Sequence, residues 1–328
     1  MHCAIVSLLF VTCNMQSKVE STYLPDYYKI YSKADSSELS IKYFGIGSTL
    51  ISYNGKAVFT DPALSNPSLF NVVGGKLKTD EALIRVIDPD LSQVDFTIVG
   101  HAHYDHLMDL PYLSEKYLPA NSKIIASKTA ANLLHAANLK QDIIDALPKA
   151  ANNNSLGEWI YNEDKSIRIL PIQASHTPQI ANLVSLAQGT LTSPLKEVPE
   201  RANQWIGGTT FTYLIDFLSA DKSIEIRVYF QSTTDNAPSG MPNVSYLDDR
   251  KIDVALIAGG VDSKNLENTM NHLLAEKYVI IHWENFFRSK MLTAKPMSAS
   301  HNKIESFIKE KGWSEKVIHP SPGQMLNF

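Results

Sequence analysis

The chain has 328 residues, 44% of them hydrophobic and 20% charged, with a formal net charge of −4. That is ordinary globular composition, long enough for a sizeable layered core, and it carries no basic field of the kind that binds nucleic acid. Both cysteines, Cys3 and Cys13, sit in the first residues, so the folded body is expected to hold no disulfide and no cysteine-ligated metal.

Ala4 to Val11 (AIVSLLFV) form a short apolar run. It is too short to span a bilayer and suits the core of a signal peptide. Phe10-Val11-Thr12-Cys13 resembles a bacterial lipobox, which implies cleavage before Cys13 and lipid attachment to it. The chain then divides into a leader (1–13), a polar tether (14–38) and a folded domain (39–328). The expected location is the bacterial cell envelope, with the lipid as the only contact to a membrane. The alternative is a buried N-terminal segment with an incidental cysteine, in a cytoplasmic protein.

From Leu39 the pattern changes. Leu39 to Tyr43 reads as a strand, and Ser48 to Tyr53 and Lys56 to Thr60 flank Asn54-Gly55, a two-residue hairpin signal. Asp61-Pro62 ends that hairpin. Ala63 to Lys78, with Gly74-Gly75, reads as a loop, and Glu81 to Ile87 as a short helix. Val94 to Val99 is a mostly apolar, β-branched run of the kind that forms a buried strand. A helix follows from near Leu107 to Tyr117, with Pro111 near its start. Lys123 to Ala126 is a strand, Ser127 caps a helix through Asn138, and Gln141 to Leu147 fits another helix. Gly157 to Tyr161 and Ser166 to Gln173 read as paired strands. Thr177 to Ile206, with three prolines, is a long irregular stretch that is either a lid or substrate wall, or a surface insertion. Gly208 to Phe217, Ile224 to Gln231, Asp253 to Ala258, Tyr278 to Ile281 and Val317-Ile318 complete the strands, with helices at Asn265 to Lys277 and Asn302 to Lys311. Strand hairpins alternate with βα units twice, which predicts an α/β sandwich of two mixed sheets with helices outside.

The chemistry concentrates at strand ends. The chain has 10 histidines, and His101, His103 and His106 lie directly after the Val94 strand, with Asp105 among them. Alternate residues of an extended chain point to one side, so His101 and His103 can converge on one point. Two later strands also deliver a histidine just past their ends, at His176 and His282. This donor set fits a zinc centre with an open position for water, and manganese or iron is compatible with it. His101, His103 and His176 can serve one ion, and Asp105, His106 and His282 a second. Asp105 can alternatively orient an attacking hydroxide. Asp61 is either a partner that fixes the tautomer of a ligand histidine or a turn residue before Pro62. Glu284 reads as a solvated carboxylate or one bonded to a ligand, Tyr104 as a substrate contact or packing residue, and His135 and His272 as structural or surface residues.

His101-Ala102-His103-Tyr104-Asp105-His106 resembles the HxHxDH signature of the metallo-β-lactamase superfamily. Gly47 to Asp61 is similar to its N-terminal hairpin, and His176 in QASHTP and His282 in IIHWENF to its later ligand histidines. The resemblance runs from Leu39 to Phe328. It implies an αββα fold, a site for one or two metal ions and a hydrolytic reaction. The HWENF segment and general layout look most like the branch containing N-acylphosphatidylethanolamine phospholipase D, which tilts the expected substrate toward a phosphodiester or phospholipid, with a lactone or amide also open. One position departs from the pattern. Dinuclear members carry a bridging aspartate where this chain has Ser232 or Thr233, and Asp235 comes later. That departure motivates the competing reading, a non-catalytic metal- or ligand-binding protein on the same scaffold. An iron-loaded redox centre is a third.

Overall fold

The computed structural model describes residues 37–176, 188–233, 237–259, 263–285, 287 and 300–328. Cys3, Cys13, almost all of the tether and Asp235 lie outside the described residues. The first half of the fold contains β1 (Ser40–Gly45), β2 (Ser48–Tyr53), β3 (Lys56–Thr60), β4 (Val94–Ile98), β5 (Lys123–Ala126) and β6 (Asp142–Asp145). The second half contains β7 (Ile160–Tyr161), β8 (Ile167–Ala174), β9 (Thr210–Leu218), β10 (Ile224–Gln231), β11 (Val254–Ala258), β12 (Lys277–Ile281) and β13 (Val317–Ile318), and β14 (Met325–Asn327) closes the chain.

These strands form two seven-stranded sheets, ordered β14-β1-β2-β3-β4-β5-β6 and β13-β12-β11-β10-β9-β8-β7. Each sheet is antiparallel on the hairpin side and becomes parallel where βα units take over, at β3/β4 in the first and β10/β11 in the second. This is the mixed, twice-repeated architecture expected from the alternation of hairpins and βα units.

The strands are apolar on both faces because both faces are covered. Along β9, Phe211, Tyr213, Ile215 and Phe217 meet Ile41, Ile51, Val58 and Phe96 of the first sheet in the layer between the sheets. Leu214 points the other way, against Leu266, Met270 and Leu273 of the helix Ser263–Leu273. On the far side of the first sheet, Phe59 and Ile124 pack with Ile84, Leu107, Leu113 and Leu133 from the helical segments. No helix among the described residues is long and apolar enough to cross a membrane.

Several expectations change. Gln141 to Leu147 is not a helix: Asp142–Asp145 is a parallel edge strand, its pairing with β5 supplying what a short local pattern cannot. The helix expected from Leu107 to Tyr117 is two segments, Tyr104–Leu107 and Leu110–Lys116. Pro111 has no N–H to donate back along a continuous helix. Asp109, at the break, turns its carboxylate to the backbone N–H groups of Leu64 and Ser65 (2.7 and 2.6 Å) and the Ser65 hydroxyl. Within the stretch expected to be a loop, Leu69–Val73 is a short helix capped by Ser68.

Candidate metal centre

β3, β4, β8, β10 and β12 all end at one rim, and each places a polar residue there. β4 runs into Gly100 and then His101 and His103. β8 leads to His176, β12 to His282, β3 to Asp61, and β10 to Ser232 and Thr233. Asp105 and His106 ride on the short helix Tyr104–Leu107, which starts directly behind His103.

The structure brings the predicted residues together as two triads. His101, His103 and His176 offer ligand atoms all within 4.8 Å of one another, and so do Asp105, His106 and His282. The triads adjoin, with the rings of His101 and His106 4.1 Å apart between centroids. Asp105 Oδ2 lies 3.6 Å from His106 Nε2 and 3.7 Å from His282 Nε2.

Asp61 resolves the choice left open by its place in the sequence. Its Oδ2 lies 2.6 Å from His106 Nδ1, and its Oδ1 accepts the Gly100 N–H at 2.7 Å. The first bond puts a proton on Nδ1 and turns the Nε2 lone pair toward Asp105 and His282. The second pins the turn that launches His101. Gly100 is needed for closeness, since a Cβ there would lie 2.3 Å from Ser232 Oγ. Gly207 serves similarly: its Cβ would lie 2.8 Å from His103 Nε2. Gly207 also accepts the Ala102 N–H at 2.8 Å. The stretch before it, 188–206, anchors Trp205 in the core and exchanges hydrogen bonds with Asn132 and Thr129. The described part of the long irregular stretch is therefore a packed wall beside His103.

The electrostatics suit cation binding. Burial pushes the His101 imidazole well below its ordinary pKa, and the neighbouring imidazoles of His106, His103, His176 and His282 add to this, so the ring is neutral. Burial alone would raise the Asp105 carboxyl, but His106, His282 and His103 outweigh it and hold the group ionised. For His106 burial lowers the pKa, while Asp105 and Asp61 together raise it above the ordinary value.

Both ring nitrogens of His101 are buried with no hydrogen-bond partner among the described residues, as are Asp105 Oδ1 and His106 Nε2. Each such orphan costs about 1–3 kcal/mol in a folded protein. A divalent cation in each triad would take one ring nitrogen of His101 in the first and His106 Nε2 with the Asp105 carboxylate in the second, and neutral imidazole with carboxylate is the chemistry zinc, manganese and iron accept.

Other expectations are met or corrected. Tyr104 is buried and packs into the core over the first sheet. His135 and His272 are exposed, and His272 Nδ1 lies 2.8 Å from its own helix at Asn268 O. Ser232 and Thr233 are buried, with hydroxyls that have no hydrogen-bond partner among the described residues. Glu284 is not solvated. It is buried and accepts the Tyr43 hydroxyl and the Ile46 N–H, each at 2.5 Å. Sequence reasoning misses Tyr43 because a tyrosine in an apolar strand reads as packing; its hydroxyl, which needs a partner once buried, is the available signal.

Two mixed sheets between helices, with a histidine-rich cluster at their carboxyl ends, define a metallo-β-lactamase fold. The sequence matches no protein-family model and no curated protein. Solved structures share its architecture. One is Igni18, described as a metallo hydrolase from the archaeon Ignicoccus hospitalis, with a TM-score of 0.51 and 18% identity over 89% of this chain and 98% of that one. A second is an isothiocyanate hydrolase from Delia radicum gut bacteria, with a TM-score of 0.54 and 14% identity over 88% and 99% of the two chains. A third is the metallo-β-lactamase-fold protein YhfI from Bacillus subtilis, with a TM-score of 0.50 and 10% identity over 89% and 100%.

Proposed function

We propose that the chain is a metal-dependent hydrolase that loads zinc at the strand-end triads and cleaves a small-molecule or lipid substrate. The observation that carries this is the pair of converging triads in which the buried His101 leaves both ring nitrogens without a protein partner among the described residues. Bound there, a divalent cation supplies an acidified water and a Lewis acid at neutral pH.

The chain's own residues do the rest. Asp61 keeps the His106 proton on Nδ1. Asp105 presents a buried Oδ1 that can accept a hydrogen from the attacking water and so orient it. The wall at Trp205 to Gly207 backs His103 and keeps solvent from that side. Hydroxyls at Ser232 and Thr233 are poorer cation donors than a carboxylate, so the ion on the Asp105 triad is the more weakly held of the two.

The substrate proposed is a phosphodiester or phospholipid rather than a lactone or amide, on the resemblance of the HWENF segment and general layout to the N-acylphosphatidylethanolamine phospholipase D branch. The test is a panel of p-nitrophenyl phosphodiesters, lactones and β-lactams with the zinc- and manganese-loaded protein. Turnover of the phosphodiesters supports the reading, and no turnover of any member by a metal-loaded protein favours the binding-protein alternative. Lipidation at Cys13 would hold the enzyme at the cell envelope, and Cys13→Ser should move it from the membrane to the soluble fraction. If it partitions unchanged, there is no anchor at Cys13.

A further inference from the structure

The backbone of His282 is held by several bonds. It is left-handed, with φ of 54°, a conformation uncommon for residues other than glycine. Ile46, across the gap between the sheets, is left-handed too, with φ of 57°. The two are joined: the His282 N–H donates to Ile46 O at 2.8 Å and to the Tyr43 hydroxyl oxygen at 3.0 Å. Glu284 closes the ring by accepting from Ile46 N–H and from Tyr43 O–H. Tyr43 lies in the first sheet's β1 and Ile46 just after it, while His282 and Glu284 follow the second sheet's β12. A buried clasp therefore spans the two sheets at the point where the last histidine of the Asp105 triad leaves its strand.

We infer that Tyr43 and Glu284 are positioning residues, whose clasp with Ile46 fixes the His282 backbone so that its ring completes the triad with Asp105 and His106. This rests on the metal-centre reading above and deepens it. Glu284 uses one carboxylate oxygen for each donor, and glutamine puts an NH2, which cannot accept, in the place of one of them. Tyr43→Phe keeps the ring's packing and removes only the hydroxyl. The clasp bonds to the backbone of His282 itself, so its effect should fall on the ion that His282 serves.

The experiment compares wild type, Tyr43→Phe and Glu284→Gln as full chains. It uses zinc titration calorimetry, metal counting after dialysis, and amide hydrogen exchange across residues 278–285. The expected result is a weaker-site affinity at least about tenfold lower in both variants, which is the usual scale for residues that orient ligands. The tighter ion should stay within about twofold of wild type, exchange should quicken at His282, and thermal unfolding of the singly loaded protein should stay near wild type. Variants that bind every ion as wild type does overturn the inference, as does equal loss of both ions with lowered stability, which marks the clasp as a fold element only. A wild type that binds no ion overturns the metal-centre reading itself, and is told apart by the control alone.

Discussion

Two buried clusters of ionisable groups among the described residues are built on opposite principles. Near the far ends of the second sheet's strands, Arg227 is wholly buried against Asp216, with nitrogen–oxygen distances of 2.7 and 2.8 Å. Its remaining N–H groups reach Arg250 O, Asp249 and Tyr246 O, and Arg168 supplies Asp216 with a second cation at 2.8 Å. There, charge and donors are matched by partners within the chain. At the rim, His101, Asp105, His106, Ser232 and Thr233 are equally buried yet leave polar atoms with no partner among the described residues. Burial alone does not distinguish structure from function. What distinguishes them is whether the protein closes its own hydrogen bonds or leaves them open toward one point.

The comparison can be broken from either side. Arg227→Ala leaves the buried Asp216 with only Arg168, and should cost about 3–5 kcal/mol in chemical denaturation. Zinc stoichiometry of the folded fraction should be unchanged, because the cluster serves the fold alone. Asp61→Asn should do the reverse. It leaves the fold but lowers zinc affinity by about 10- to 100-fold in calorimetry, since an amide cannot hold both His106 and the Gly100 turn as a carboxylate does. His101→Leu removes two orphaned nitrogens from an interior that has nothing to offer them. Metal-free protein with this change should be more stable than metal-free wild type, by about 1 kcal/mol, while its zinc binding is lost.

The smallest effect is a separation by pH. Protons compete with a cation for histidine nitrogen. The His106 pKa is raised above its ordinary value and that of His101 lies well below it, so on acidification a proton takes His106 first. The ion on the Asp105 triad should therefore leave at a higher pH than the ion held by His101. Metal release followed across an acid titration from neutral pH should show two steps, and release of both ions in one step would contradict this assignment of sites.

Much of the fold and site is legible in the sequence, for identifiable reasons. The Asn54-Gly55 turn bounds Ser48–Tyr53 and Lys56–Thr60, and β-branched or aromatic runs mark Lys123–Ala126 and Ile224–Gln231, where the structure bounds them. The histidines are legible because each follows closely on such a run. What stays hidden depends on partners far along the chain. Glu284 stays open between a solvated carboxylate and one bonded to a ligand because Tyr43 and Ile46, which it bonds, lie 241 and 238 positions away. β14 has three residues and exists only through β1, at the other end of the domain. Asp142–Asp145 owes its extended form to β5. The tautomer of His106 is not readable either, because Asp61 has an equally good local role before Pro62.

The most direct test is to count metal. The full chain, supplied with zinc and dialysed against metal-free buffer, should retain at least about one ion per chain by mass spectrometry, and His101→Leu should retain almost none. A wild-type chain that emerges without bound ion, or a His101→Leu chain that holds as much as wild type, would contradict the reading of the open histidine cluster as a metal centre.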